Sequence, residues 1–410
     1  MKLSFKNCFK YTPEGFLPFS DEISISEKTG VAVYENCYVF PTFADVHVHL
    51  REPGFSYKET VRTGTMAAAR GGYGDICSMP NLSPVPDSLE NLKVQTDIIK
   101  RDALINVHPY GSITKGEKGE TLSDMETLAP YVAAFSDDGR GVQNEEMMKG
   151  AMIKAKSLGK IIAAHCEVNS LLHGGYIHDG EYARTHNHRG ISSESEWAQV
   201  ERDIFLAEKT GCKYHVCHIS TKESADLIRR AKERGVDISC ETAPHYLVLD
   251  DSCLKEDGAY KMNPPLRDKK DRESLLCAVE DGTVDMIATD HAPHSAEEKS
   301  KGLEKSPFGI VGLETAFGVL YTNLVREKII SLDRLIRLMS INPRKRFSLD
   351  DSDSEASFTV FDLNNEYTID SHDFLSMGKS TPFDGKSVYG KCRLTMFKGD
   401  AVWIENSTER

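Results

Sequence analysis

Four histidines and two aspartates, spread along the chain from position 47 to position 290, have the types and placement of metal ligands: His47, His49, Asp138, His165, His218 and Asp290. Each stands in or just after a strand-like run, as in Ala44-Asp45-Val46-His47-Val48-His49-Leu50-Arg51, Ala163-Ala164-His165-Cys166-Glu167, His215-Val216-Cys217-His218 and Ala288-Thr289-Asp290-His291. Neutral imidazoles and carboxylates suit a borderline divalent ion such as zinc, and a carboxylate can bridge two ions through its two oxygens. Six ligands exceed what one tetrahedral ion can use, which points to a binuclear site. A strand alternates its side chains between two faces, so His47 and His49 should project together toward one ion. By the same rule only one of the neighbours Asp137 and Asp138 should point inward, and His215 should face away from His218 in a supporting or packing role. An isolated His-x-His pair would be weak evidence, whereas the additional ligands at strand ends make a purely structural origin improbable.

Ligands from such distant segments can converge only if the fold gathers the ends of many strands. A (β/α)8 barrel does so, because its chemistry sits where the strand C-termini meet. From about residue 44 to 345, apolar runs such as Ala133–Ser136, Ile161–Ala164, Tyr214–Cys217 and Met286–Thr289 alternate with helical stretches. The helices are expected over Glu145–Leu158, Glu196–Thr210, Lys222–Arg234 and Asp333–Met339. This alternation fits one closed barrel better than two doubly wound domains. Residues 1–43 read as a few antiparallel strands, and the acidic run Ser348–Glu355 as a solvated turn leading into strand-like Phe358–Asp362 and Leu394–Phe397. The expected organisation is a catalytic barrel over 44–347 and a small β domain built from both chain ends, 1–43 and 348–410.

With 410 residues, 40% of them hydrophobic and 28% charged, the chain reads as an ordinary globular protein with room for a large core. A formal net charge of −13 argues against nucleic-acid or anionic-membrane partners, so an anionic substrate would need a local cluster of cations. No apolar run reaches the length of a spanning helix, and the first residues lack the apolar core of a signal peptide, making the cytoplasm the expected location. Ten scattered cysteines without a CxxC pair are expected to be free structural thiols.

Eight runs occur in a recognisable order: His47-Val48-His49-Leu50-Arg51-Glu52-Pro53-Gly54, Met79-Pro80-Asn81, Ser136-Asp137-Asp138-Gly139, Ala164-His165-Cys166-Glu167, Cys217-His218-Ile219-Ser220-Thr221-Lys222, Lys261-Met262-Asn263-Pro264-Pro265-Leu266-Arg267, Ala288-Thr289-Asp290-His291-Ala292-Pro293-His294 and Pro307-Phe308-Gly309-Ile310-Val311-Gly312-Leu313-Glu314-Thr315. From about residue 40 to its end, the chain resembles the bacterial class I dihydroorotases of the amidohydrolase superfamily. The resemblance implies that His47, His49 and Asp290 hold one zinc and His165 and His218 the other, with Asp138 bridging. It also implies that Arg51, Asn81 and His294 grip a substrate carboxylate, that His49 lies at the substrate, and that Asn263 with the backbone around Phe308 and Gly309 reads the ring amides. Asp290 would carry the proton, a task for which His291 and His294 are rivals. Phe135-Ser136-Asp137-Asp138-Gly139 lacks the lysine that bridges the ions in related hydantoin-cleaving enzymes, which favours the aspartate-bridged class.

The implied reaction is reversible cyclisation of N-carbamoyl-L-aspartate to L-dihydroorotate with loss of water, in pyrimidine biosynthesis. Arg51 favours it, because a planar guanidinium can bind a carboxylate through two parallel hydrogen bonds. Placed two residues beyond His49, Arg51 is expected on the same strand face. An allantoinase or dihydropyrimidinase would share fold and metals but need no partner for a ring carboxylate. A non-catalytic paralogue supporting a transcarbamoylase would be expected to have lost ligands. A homodimer and an association with aspartate transcarbamoylase are further expectations. Thr42, Tyr246 and the N-terminal strands depart from the family pattern without touching a proposed ligand.

Overall fold

The computed structural model describes residues 1–25, 31–349 and 355–405. Parallel strands follow one another in the order Phe43–Val48, Tyr73–Ser78, Asn106–Pro109 continued by Gly111–Ser112, Phe135–Ser136, Ile161–Ala164, Lys213–Val216, Ile238–Thr242 and Met286–Ile287. A parallel bridge between Val48 and His291 brings the last strand back to the first, closing eight strand positions into a barrel. Closure is tightened by the His49 amide, which donates to the His291 carbonyl at 2.8 Å.

The strands read as apolar runs because both of their faces are covered: every residue of Phe43–Val48 and of Ile161–Ala164 is buried. Crossover helices cover the outside, including Glu145–Ser157, Glu194–Thr210 and Lys222–Glu233. Their starts are set by local chemistry, since Asn144 and Thr221 each accept a hydrogen bond from the amide three residues on. The helix expected over Asp333–Met339 divides into an α segment, Leu332–Ile336, and a π turn, Arg337–Ile341. The fourth strand is shorter than its apolar run suggests, comprising Phe135–Ser136 alone. Of the acidic run 348–355, residues 350–354 lie outside the described residues.

Both chain ends enter one seven-stranded sheet, ordered Asp400–Ile404, Ser387–Phe397, Phe358–Thr368, Tyr38–Pro41, Lys2–Thr12, Gly15–Ser24, with Val31–Glu35 also pairing with Lys2–Thr12. The junction between the ends is the antiparallel pairing of Tyr38–Pro41 with Phe358–Phe361. Phe40, Phe43, Phe317 and Phe361 stack between this sheet and the barrel, the tightest pair being Phe317 and Phe361 at 4.2 Å. Thr42 packs close to Gly74, where a Cβ would approach its hydroxyl to 2.4 Å, and its hydroxyl accepts from Arg344. All ten cysteines are free. Among the described residues, no helix is long and apolar enough to cross a membrane.

Candidate metal centre and substrate pocket

The strand ends bring all six expected ligands together. His47 Nε2 lies 3.4 Å from Asp138 Oδ1 and 3.5 Å from Asp290 Oδ1; His49 Nε2 lies 3.5 Å from Asp138 Oδ2 and 3.0 Å from Asp290 Oδ1. His165 Nδ1 and His218 Nε2 are 3.0 Å apart, and lie 3.9 and 3.7 Å from Asp138 Oδ1. Two donors about 2.0–2.1 Å from a tetrahedral ion stand about 3.3 Å apart, so these spacings fit ligands around cations. Two of the triads able to hold an ion are His47–His49–Asp290 and His47–Asp138–His218. Asp138 turns one oxygen toward His49 and the other toward His47, His165 and His218, the arrangement a shared carboxylate requires.

The chemistry of the donor set supports this fit. His47 Nε2 and Asp138 Oδ1 are buried without a hydrogen-bond partner, a costly state for polar atoms unless a cation meets them. The other ring nitrogens fix the tautomers. His47 Nδ1 lies 2.7 Å from the Glu241 carboxylate and His49 Nδ1 lies 2.9 Å from Asn81 Oδ1, so both rings direct Nε2 lone pairs into the cluster. Burial alone would raise Asp138 and Asp290, but the neighbouring imidazoles, His47 foremost, hold both far below the usual carboxylate range. Glu241 is likewise drawn down to about 2, burial being outweighed by His47 and His215. Without an ion the centre therefore sets ionised carboxylates against imidazolium charge, and a divalent cation replacing those protons would meet the same carboxylates and the freed imidazole nitrogens.

Asp137 turns the other way, its carboxylate accepting from the amides of Ile113 and Thr114 and from the Thr114 hydroxyl. His215 is held by Ser239 and Glu241 and packs against Phe347. The His291 ring also leaves the centre: its Nδ1 accepts from the Gly312 amide and its Nε2 faces Glu59 at 3.5 Å. One expectation needs correction. Arg51 does not continue the strand of His49, because that strand ends at Val48 and Arg51 adopts a left-handed backbone with φ of 60°. His218 and Asp290 share this unusual conformation, with φ of 34° and 48°. Such strain in residues other than glycine is concentrated at functional sites, where it aims side chains that a regular strand would misdirect.

A cavity of about 160 Å³ opens over the cluster, lined by His49, Arg51, Asn81, Asp138, Asn263, Asp290, His294, Phe308 and Gly309 among others. Every residue assigned to substrate from the sequence therefore lines one pocket.

A family model described as Dihydro-orotase-like matches residues 37–224. The dihydroorotase of Fusobacterium nucleatum subsp. nucleatum is 49% identical over 391 residues, spanning 94% of this chain and 92% of that protein. The chain belongs to the dihydroorotase family. A dihydroorotase of Staphylococcus epidermidis is 50% identical over 373 residues, covering 90% of this chain and 88% of its own. Among solved structures, the L-hydantoinase (dihydropyrimidinase) from Arthrobacter aurescens aligns with a TM-score of 0.84 at 22% identity, covering 98% of this chain and 96% of its own. The dihydropyrimidinase from Brevibacillus agri aligns at 0.83 and 23%, covering 98% and 95%. At these identities the structural likeness speaks for the fold alone.

In this dihydroorotase-family pocket, Arg51 spends its Nε on the Pro293 carbonyl at 3.2 Å. Its Nη2 meets His294 Nε2 at 3.4 Å, yet that nitrogen already lies 2.7 Å from the Phe308 carbonyl and must carry the proton. With that proton spent on the Phe308 carbonyl, Arg51 Nη2 faces a donor rather than an acceptor and is left free to meet an anion in the pocket. Burial, with the charges of Arg51 and Lys58 adding to it, holds His294 neutral down to about 3, and its Nδ1 faces Lys58 Nζ at 3.1 Å. Asn263 is held by Glu167 at 2.9 Å. The amide and carbonyl of Gly309 are both engaged, by the Lys261 carbonyl and Lys299. A Cβ at Gly309 would come within 2.6 Å of the Ala292 carbonyl, so the position also needs glycine for close approach.

Glu241, Glu167, Lys58, Lys299 and the buried His245 escaped sequence reasoning. Glu241 lies in the strand Ile238–Thr242, every residue of which is buried although Ser239, Glu241 and Thr242 are polar, so its burial could not be read from the segment alone. The rest lie in loops and short helices whose placement is set by the closed barrel.

Proposed function

We propose that this chain is a dihydroorotase that cyclises N-carbamoyl-L-aspartate to L-dihydroorotate with loss of water and catalyses the reverse hydrolysis. The observation that carries the reading is one pocket joining five of the six candidate ligands, with His47 buried beneath them, to an arginine whose terminal nitrogens have no carboxylate or carbonyl acceptor among the described residues. Identity near 50% to dihydroorotases along almost the whole chain supports it.

His47, His49 and Asp290 would hold one zinc and His165 and His218 the second, with Asp138 shared. When bound, the ions supply an acidified water and a polarised ring carbonyl at neutral pH. Arg51, assisted by Asn81 and His294, orients the substrate carboxylate, and Asn263 with the Phe308–Gly309 wall faces the ring amides. Asp290 accepts a proton from the attacking water as the new C–O bond forms, then returns it to the ring nitrogen as the C–N bond breaks. In the synthetic direction the same residue takes the proton from the carbamoyl nitrogen and releases it into the departing water.

Residues 1–43 and 348–410 are proposed to form a small β domain beside the catalytic barrel of 44–347, supported by the sheet both ends share. Ten free thiols suit a reducing cytoplasm. A twofold dimer is proposed as the commonest assembly of such enzymes, with a transcarbamoylase as an associated protein. The deciding experiment measures turnover of dihydroorotate, dihydrouracil and allantoin by zinc-loaded protein. Preference for either ring lacking the carboxylate would replace this reading with that of another cyclic amidohydrolase.

A further inference from the structure

Two walls of the pocket, the Lys261–Asn263 stretch and the Pro307–Gly309 stretch, are joined by a buried lysine that the reaction itself does not use. Lys299 ends the short helix Ala296–Lys299 and is 6% exposed. Its Nζ lies 3.1 Å from the Lys261 carbonyl, 3.0 Å from the Pro307 carbonyl and 2.7 Å from the Gly309 carbonyl. An ammonium has three N–H donors, so all three are taken by main-chain carbonyls. Burial pushes this ammonium down to about 7, reinforced by the charge of Lys261 and opposed by Asp257 and Glu298. Desolvating a cation against neutral dipoles is costly, and mere space-filling here would be served better by an apolar side chain.

The three carbonyls have specific neighbours. Lys261 is two residues before Asn263, and Pro307 and Gly309 flank Phe308 on either side. The Lys261 carbonyl also accepts from the Gly309 amide at 3.1 Å, so it receives donors from both sides of the knot. Lys261 Nζ donates to the Glu304 carbonyl at 2.6 Å and lies over the rings of Phe308 and Tyr176 at 4.8 and 5.1 Å.

We propose that Lys299 is a positioning residue for ring recognition: by gathering three carbonyls it sets Phe308 and Gly309 at a fixed distance from Asn263, so that the pocket accepts a six-membered ring presenting an amide edge. This rests on the dihydroorotase reading, and one arm of its test is independent of turnover.

Lys299→Met keeps the apolar stem and removes the donors. With zinc content unchanged, KM for dihydroorotate should rise about tenfold or more while kcat stays within about threefold, the pattern of lost binding that does not change along the reaction. Amide exchange over residues 258–263 and 306–310 should accelerate in the same protein without substrate. Paired with Asn263→Ala the effect should fall short of additive, and paired with Arg51→Met it should add, because Arg51 acts on the other end of the substrate. Should Lys299→Met fail to fold, Lys299→Gln keeps two N–H donors and loses the third, and KM and exchange changes in the same direction but smaller are expected from it. Unchanged exchange in those segments, or unchanged KM in a folded, zinc-replete variant, would overturn the proposal. If the parent protein does not turn over dihydroorotate, the reading of function fails; accelerated exchange then still supports the positioning role, and unaltered exchange overturns it.

Discussion

Replacing Arg51 by methionine removes the guanidinium while leaving a side chain of similar reach. Removing one partner of a desolvated, hydrogen-bonded charge pair costs about 2–5 kcal/mol. Arg51 is only partly buried and its pocket opens to solvent, so the lower part of that range applies, about 2–3 kcal/mol, or about 30- to 160-fold in kcat/KM for dihydroorotate. The variant also loses the bond from Nε to the Pro293 carbonyl, worth about 1 kcal/mol to local order. Two controls separate the effects. Metal content reports whether the Asp290–His294 segment keeps its place, and hydrolysis of dihydrouracil, which has no carboxylate, reports general damage. The assay follows both rings by absorbance at matched zinc loading. Carboxylate recognition is supported if only dihydroorotate hydrolysis falls. If both activities fall equally with metal intact, or if the parent prefers dihydrouracil, carboxylate recognition by Arg51 is refuted.

Asp290→Asn retains a possible oxygen ligand but cannot accept the proton, so metal analysis should find the ions largely retained while turnover falls about 10²-fold or more; near-normal turnover would remove Asp290 from that role. Saturation with zinc should give two ions per chain, and an anomalous-difference map at the zinc edge should place them on either side of Asp138; full activity with one ion would exclude a binuclear reaction. Glu241→Gln weakens the partner that fixes the His47 tautomer, and metal affinity, measured by competition with a chelator, should drop about 10- to 100-fold. Unaltered affinity would mean that the 2.7 Å contact only fills space.

The sequence by itself determined the candidate ligands and the class of fold. Ligand chemistry is a property of residue type, and the alternation of apolar runs with amphipathic helices is written locally, so His47, His49, His165, His218 and Asp290 were legible one segment at a time. His215 does face away from the centre, but His218 lies beyond the end of that strand at Val216, so alternation alone does not account for the difference between them. Between Asp137 and Asp138 the choice came from family resemblance, because the strand stops at Ser136 and alternation does not govern residues beyond a strand's end. Tertiary structure alone decided how the loops aim their side chains. Arg51 reaches the pocket through a left-handed turn after the strand, and His291 swings to Glu59 although it adjoins a proposed ligand. Glu241, Glu167 and Lys299 gain their roles from partners distant in sequence, His47, Asn263 and the Lys261 carbonyl, which only the folded chain brings to them. A ligand's chemistry travels with its residue, whereas the hydrogen bonds that orient it depend on distances that exist only after distant strands are packed side by side.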